Sequence, residues 1–398
     1  MDSTLRKNFP IFDKNPHYVY LDSAATTHKP RSVIEALSRF YGEENATVHR
    51  AVYRGAVIAS ERYARARETV QRFLRAAHTD EIVFTRGTTA SLNLVALSWG
   101  RTHLGPGDEI VVPEMEHHSN LVPWQMLAEH TGATIRWVPM EPGGTADVVG
   151  YITERTKLVA LAHVSNVTGT VHPIRSVADK AHAVGAVVVV DGAQGPSHIP
   201  VDVQALGADF YAFSGHKCYG PTGIGILYGK RALLAAMPPI EGGGDMIEHV
   251  TLEKTTYAAP PLRFEAGTPI IGSAIGLAAA LEFIESIGRE KIAAFEAGLG
   301  GRLREGLQSV EGLRILGTAP KHAALATFVV DGVHPLDLAT LLDLSGFAIR
   351  SGHLCAQPCL KKFGVEAAVR ASLGVYNTLE EVERFVEALR RVVRKLRQ

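Results

Sequence analysis

Apolar and polar positions follow two rhythms along this chain. Residues 186–190 read Ala-Val-Val-Val-Val before Asp191, an unbroken apolar run that suits a strand buried on both faces. Shorter runs at 18–21, 81–85, 108–113, 157–163 and 209–213 predict further strands. Between them the spacing becomes that of helices. Pro30 opens one, with Val33, Ile34, Leu37, Phe40 and Tyr41 on a single face. Residues 45–50 read as a loop. A second helix spans 60–76 and turns Tyr63, Val70, Phe73 and Leu74 inward. Others are predicted over 90–99 and 176–185, the latter stopped by Gly185. Strand and helix therefore alternate from 81 to 228. That pattern predicts an α/β fold, a parallel doubly wound sheet whose loops gather along one edge.

After Gly229 the rhythm changes. Residues 246–268 carry few helical signals, and a long helix is predicted over 272–287. A change of domain is expected near 270. The last third mixes helices with short strands at 325–330 and 347–350. Thr378 and Glu381 form a capping-box sequence. It opens a final helix with Val382, Phe385, Val386, Leu389, Val392, Val393 and Leu396 along one face.

Composition narrows the classes. The 398 residues are 46% hydrophobic and 21% charged, which leaves room for two globular domains. Lys+Arg and Asp+Glu both number 41, so nothing favours nucleic acid or an anionic membrane as partner. The first residues are polar and lack the apolar core of a signal peptide. Apolar stretches are interrupted before they reach membrane-spanning length. Three cysteines (Cys218, Cys355 and Cys359) are too few for a disulfide framework and suit a reducing compartment. The expectation is a cytoplasmic protein whose partners are neither nucleic acid nor membrane.

Candidate chemistry collects at predicted strand ends. Lys217 lies in Ser214-Gly-His-Lys217, just after the run at 209–213. A strand ending in a loop that presents one lysine can hold an amine on a rigid support, ready for Schiff-base chemistry with a carbonyl. Asp191 ends the most apolar run, where open α/β sheets bind ligands. An aspartate there can pair with a protonated pyridine nitrogen, as pyridoxal phosphate requires. After the strand at 81–85, Gly87, Thr88 and Thr89 open a helix and offer an anion site. His117 and His118 follow the strand at 108–113. Adjacent histidines rarely face one metal ion, and such a histidine can instead lie flat on an aromatic ring. Cys355 sits in a glycine-containing loop before Pro358, and Arg370, in an apolar context, suits a carboxylate. His353, Cys355 and Cys359 alone make a poor metal site, so no metal is expected.

Taken together, Asp191-Gly-Ala-Gln194, Ser214-Gly-His-Lys217, Arg263-Phe-Glu-Ala-Gly-Thr-Pro269 and Arg350-Ser-Gly-His-Leu-Cys355-Ala-Gln-Pro358 resemble group II, SUF-type cysteine desulfurases. The resemblance runs from Leu21-Asp-Ser-Ala-Ala25 to Arg370-Ala-Ser-Leu-Gly-Val-Tyr-Asn377. It implies a homodimeric pyridoxal 5'-phosphate enzyme of fold type I. A large domain over 21–270 would carry a mostly parallel, seven-stranded-type sheet between helices. A smaller α+β domain over 271–398 would carry the catalytic cysteine loop, with residues 1–20 packed against it.

The resemblance also implies roles. Lys217 would be the Schiff-base lysine, and Asp191 the partner of the ring nitrogen. Gln194 and Asn166 would bond near the ring hydroxyl, and His117 would stack on the ring. Thr88, Thr89, Ser214 and His216 would hold the phosphate, with Thr268 supplied by the other protomer. Arg370 would bind the substrate carboxylate with help from Asn166, and His49 and Arg350 would line the mouth. Cys355 would take sulfur from L-cysteine, leaving L-alanine, and pass it through a SUF-type acceptor protein to iron–sulfur cluster assembly. Ala90 and Leu354 stand where the family usually has glutamate and a second histidine. Cys218 stands where leucine is usual, and Cys359 is additional. The rival readings are a selenocysteine lyase, an aminotransferase, and a silent partner that only binds a sulfur acceptor.

Overall fold

The computed structural model describes residues 4–49 and 51–398. Residues 1–3 of the expected N-terminal segment and Arg50 of the predicted loop lie outside the described residues. The strands are β1 (Val19–Tyr20), β2 (Ile82–Thr85), β3 (Glu109–Pro113), β4 (Thr134–Val138), β5 (Thr156–Ala162), β6 (Val187–Asp191), β7 (Phe210–Ser214) and β8 (Gly225–Gly229). They continue with β9 (Ile247–Val250), β10 (Thr255–Tyr257), β11 (Leu313–Leu316), β12 (Leu325–Val330), β13 (Phe347–Ala348), β14 (Arg350–Gly352) and β15 (Ala368–Ser372).

Seven of them form one sheet in the order β2-β8-β7-β6-β5-β3-β4. The apolar run at 186–190 becomes its middle strand, and every residue of β6 is buried. Pairing is parallel from β4 through β7. One strand breaks the expectation of a parallel sheet. β8 returns antiparallel between β7 and β2. The chain leaves β7 through the tight Lys217 turn and comes straight back, with no crossover helix to reverse it.

Helix Arg54–Leu74 starts six residues before the predicted 60 and buries the four expected residues. On helix Arg31–Arg39 and the turn after it, Val33 and Phe40 are buried, whereas Ile34 and Tyr41 are exposed. Helix Ile271–Ile287 is apolar on nearly all sides, as a helix enclosed by others must be. It packs on both of these helices and shares the core under the seven-stranded sheet. The helix that follows the expected domain change at 270 thus packs with the elements before it. A separate core begins with helix Arg289–Gln308. No single helix among the described residues is long and apolar enough to cross a membrane.

The second core covers the antiparallel sheet β11-β12-β15-β14 with helices Arg289–Gln308, Pro335–Asp343 and Leu379–Leu396. The last of these has the predicted capping box, with Thr378 accepting from Glu381 N–H and Glu381 reaching back. The N-terminal segment joins both cores. β1 pairs parallel with β13, while Phe9 and Phe12 pack beside Tyr219 and Tyr376. Residues 247–257, which the sequence left without an element, form the hairpin of β9 and β10, and β9 is largely exposed.

Candidate active site

The carboxyl ends of β5, β6 and β7 lie in register, with Ala162 opposite Asp191 and Asp191 opposite Ala212. Above them is a cavity of about 240 Å³ bordered by Asp191, Gln194, Asn166, His117, Lys217, Thr88, Thr89, Ser214 and His216. Nine of the residues proposed from sequence thus share one space. Two glycines permit the close packing beneath it. A Cβ on Gly192 would lie 2.1 Å from the ring of Tyr211, so the turn after Asp191 can rest on that ring only as glycine. A Cβ on Gly225 would lie 2.4 Å from Gly87 Cα, which is how β8 admits the start of helix Thr88–Val95.

Each polar group has a describable state. Burial pushes the Asp191 carboxyl up, while the Ala193 N–H at 2.9 Å and Lys217 pull it back. Burial pushes Lys217 down, Asp191 opposes the shift, and Arg370 adds to it. The amine is therefore easily had in its neutral, nucleophilic form. His117 is held down to about 3 by burial and then by Lys217, so its ring is neutral. Its Nδ1 accepts from Ser119 N–H at 3.0 Å, which puts the ring proton on Nε2.

The anion cradle is built from both chain directions. Thr88 N–H and hydroxyl meet Ser214 Oγ at 2.8 and 2.7 Å, and Thr89 Oγ1 meets Ser119 Oγ at 2.7 Å. His216 is pushed down to about 4 by burial and then by Lys217 and Lys29. A wider cavity of about 800 Å³ opens from the cradle, and Thr268 is exposed on its rim, in the same chain. His49 does not border the inner cavity. It is exposed, with its ring edge-on to Tyr63 at 5.8 Å.

Arg350 and Arg370 are direct partners across β14 and β15. Like charges so placed repel. Asp22, just beyond β1, lies between them, 2.8 Å from Arg350 and 3.3 Å from Arg370. Sequence reasoning gave Asp22 no role, although an aspartate ending a short apolar strand was a signal of the same kind as Asp191. Arg370 also donates to Asn166 O at 2.9 Å, and its buried Nε has no partner among the described residues. Asn166 Nδ2 donates to Leu354 O at 2.8 Å, and His118 N–H to Cys355 O at 2.8 Å. These bonds tie the cysteine turn to the sheet side of the site. Gly352 belongs to β14, so the loop is only residues 353–356, and Leu354 and Cys355 both take φ 53°. Glu116, also unforeseen, is fully buried, accepts from Asn120 and from Ala162 N–H, and is pushed up to about 8 by that burial.

The three thiols differ sharply. Cys355 is exposed and lies near enough to Lys217 and Arg370 to interact electrostatically with both. Cys218 and Cys359 are buried, and burial pushes each up to about 12.

A family description, aminotransferase class V, matches residues 19–385, and the chain belongs to that family. Its relatives narrow the chemistry. A probable cysteine desulfurase of Halalkalibacterium halodurans is 49% identical over 391 residues, covering 97% of this chain and 96% of that one. A probable cysteine desulfurase of Vibrio cholerae is 48% identical over 98% of each chain. Among solved structures, the cysteine desulfurase CsdA of Escherichia coli, in its S-sulfonic acid form, matches with a TM-score of 0.93 at 42% identity over 99% of each chain.

The cofactor is pyridoxal phosphate, and the residues present fit it. Gln194 donates through Nε2 to Ala24 O at 2.7 Å, but its buried Oε1 accepts nothing among the described residues. An acceptor left bare in a residue that borders the same cavity as Asp191 and Lys217 suits a ring bearing a hydroxyl.

Proposed function

We propose that the chain is a cysteine desulfurase of the group II, SUF type, which holds the released sulfur as a persulfide on Cys355. L-cysteine enters and L-alanine leaves. The observation that carries the choice of Cys355 is burial. It alone of the three thiols is exposed, on a turn bonded to Asn166 and His118.

Bound pyridoxal phosphate acts as the sink for the electrons released at the substrate's Cα. Lys217 would carry it and Asp191 would face its ring nitrogen, with Thr88, Thr89, Ser214 and His216 around the phosphate. Arg370, whose Nε has no partner among the described residues, takes the substrate carboxylate, and Asn166 steadies that arginine through its carbonyl. The Lys217 amine, lowered by burial, removes the Cα proton. The Cys355 thiolate attacks the substrate's sulfur. An S–S bond forms as the C–S bond breaks, and the carbon left behind takes a proton to become the methyl group of alanine.

The same reading makes the working form a cytoplasmic homodimer in which Thr268 reaches the partner's cofactor. The wide cavity bordered by exposed Thr268 supports it, because a second chain could close that space. The outlet for the sulfur is then a SUF-type acceptor protein serving iron–sulfur cluster assembly. The reading also has two domains, with the division after helix Ile271–Ile287, which is supported by that helix packing in the cluster of the seven-stranded sheet.

The test is to give purified protein L-cysteine and measure alanine and sulfide, for the natural chain and for Cys355→Ser. The variant is expected to keep the cofactor's visible absorbance while sulfide release falls to background. Full activity in Cys355→Ser would remove Cys355 from the reaction. Alanine release from L-selenocysteine alone would favour the selenocysteine lyase instead.

A further inference from the structure

His118 and His353 come from distant parts of the chain and meet beside Cys355. One ring nitrogen of each histidine and Sγ of Cys355 lie within 4.8 Å of one another. The two imidazoles are 5.7 Å apart and inclined by 32°. Both rings aim a lone pair at the same short turn. His353 Nδ1 accepts from Cys355 N–H at 3.0 Å, and His118 Nε2 accepts from Gln357 N–H at 3.2 Å. Each histidine so held carries its proton on the other nitrogen, the tautomer a metal ligand needs. The turn itself is held by the bonds from Asn166 and His118 to the carbonyls of Leu354 and Cys355. Cys355 is exposed, so an ion can arrive from solvent.

We propose that His118, His353 and Cys355 form a zinc site that holds Cys355 in reserve. Two imidazoles and a thiolate are a donor set for Zn²⁺ rather than for Mg²⁺ or Ca²⁺, which prefer oxygen. Ligands of a tetrahedral zinc stand about 3.4 Å apart given its bond lengths, so no pair of the three groups has to close in by more than about 1.4 Å. On binding, the two histidine lone pairs exchange their backbone N–H partners for the ion, and the freed N–H groups turn to water. The Cys355 thiol releases its proton to solvent as the Zn–S bond forms, and no electron is transferred. The fourth position stays open to water or to a thiol from another molecule. A thiolate whose lone pair is shared with zinc is a weaker nucleophile than a free one and is held in place, so the site would gate the persulfide step. The binding itself does not rest on the desulfurase reading. Motif reading missed the site because it searched for ligands close together in sequence.

The experiment uses the cofactor-loaded protein, freed of metal and given one equivalent of Zn²⁺ per chain. Excess metal is removed by gel filtration. Retained zinc is counted, and alkylation of each cysteine by iodoacetamide is followed by peptide mass mapping. One zinc per chain and protection of Cys355 by Zn²⁺, with none by Mg²⁺, are expected. His118→Ala and His353→Ala should each weaken zinc binding about tenfold or more, since even the loss of an outer-shell partner costs a metal site that much. Cys355→Ser changes only an exposed side chain and should also lose the zinc, which keeps the test valid if a histidine variant folds poorly. Equal alkylation of Cys355 with and without Zn²⁺ would overturn the proposal. So would undiminished zinc retention by Cys355→Ser and His353→Ala. Neither readout requires turnover, so failure here is distinct from failure of the desulfurase reading.

Discussion

Burial decides what each ionisable side chain can do here. A thiol held near 12 is ionised to about one part in a hundred thousand at neutral pH, which leaves Cys218 and Cys359 inert. The departures at 218 and 359 therefore place buried side chains in the core and add no reactive thiol. His28 obeys the same rule. It sits among Tyr20, Phe12 and Tyr376, its Nε2 has no partner among the described residues, and burial followed by Lys29 and Arg6 lowers it to about 4. The unfolded chain takes up a proton at this residue below about 6.5, whereas the folded chain does not until about 4. Stability is thus lost as pH falls through that window. His28→Phe should lose less of it. Denaturant midpoints of the two proteins between pH 7 and pH 4.5 are expected to diverge in favour of the variant as pH falls. A constant difference would show that His28 titrates normally.

At this scale the sequence was most legible where chemistry coincided with pattern. Asp191 and Lys217 each follow an apolar run, so a strand end could be assigned to each before any contact was known. Gln194 and Asn166 have no such signature, and only the family resemblance pointed to them. What the resemblance could not supply was pairing. Asp22 between two arginines, and His118 beside His353, depend on segments that are distant along the chain.

Among elements, patterning identified strands and helices better than it told where they go. An alternation of strand and helix says nothing of strand direction, so the antiparallel return of β8 was not legible. Helix Ile271–Ile287 showed its length but not its allegiance, because an all-round apolar surface names no neighbour. The hairpin of β9 and β10 was missed since its residues are mostly exposed and lack alternation. One ion pair binds several elements together. Glu265 accepts from Arg67 at 2.7 and 2.8 Å, from Tyr63 at 3.0 Å and from Phe84 N–H at 2.8 Å. It so joins helix Arg54–Leu74, β2 and the segment leading to Thr268. Glu265→Gln would leave the buried Arg67 uncompensated, which costs about 3–5 kcal/mol when one partner of a buried pair is removed. Equilibrium unfolding in urea measures it. A loss under about 1 kcal/mol would mean that water reaches Arg67.

For the molecule as a whole, the seven-stranded and the four-stranded sheets meet at the site. The sheet ends bring Lys217 and Asp191, and the antiparallel sheet brings Arg370 and the Cys355 turn. Thr268 belongs to neither core and stands on the rim of the wide cavity. If it serves the partner's cofactor, light scattering finds a dimer, and Thr268→Ala weakens cofactor retention on dialysis without dissociating it. A fully active monomer in dilute solution would contradict this.

The central claim is that sulfur leaves L-cysteine for Cys355. Its most direct measurement is a single turnover without reductant, followed by alkylation and mass mapping of the three cysteine peptides, with alanine counted in parallel. The account predicts about one alanine per active site and one added sulfur atom on the Cys355 peptide alone. Added sulfur on the Cys218 or Cys359 peptide, or alanine formed with no sulfur on any of the three, would contradict it.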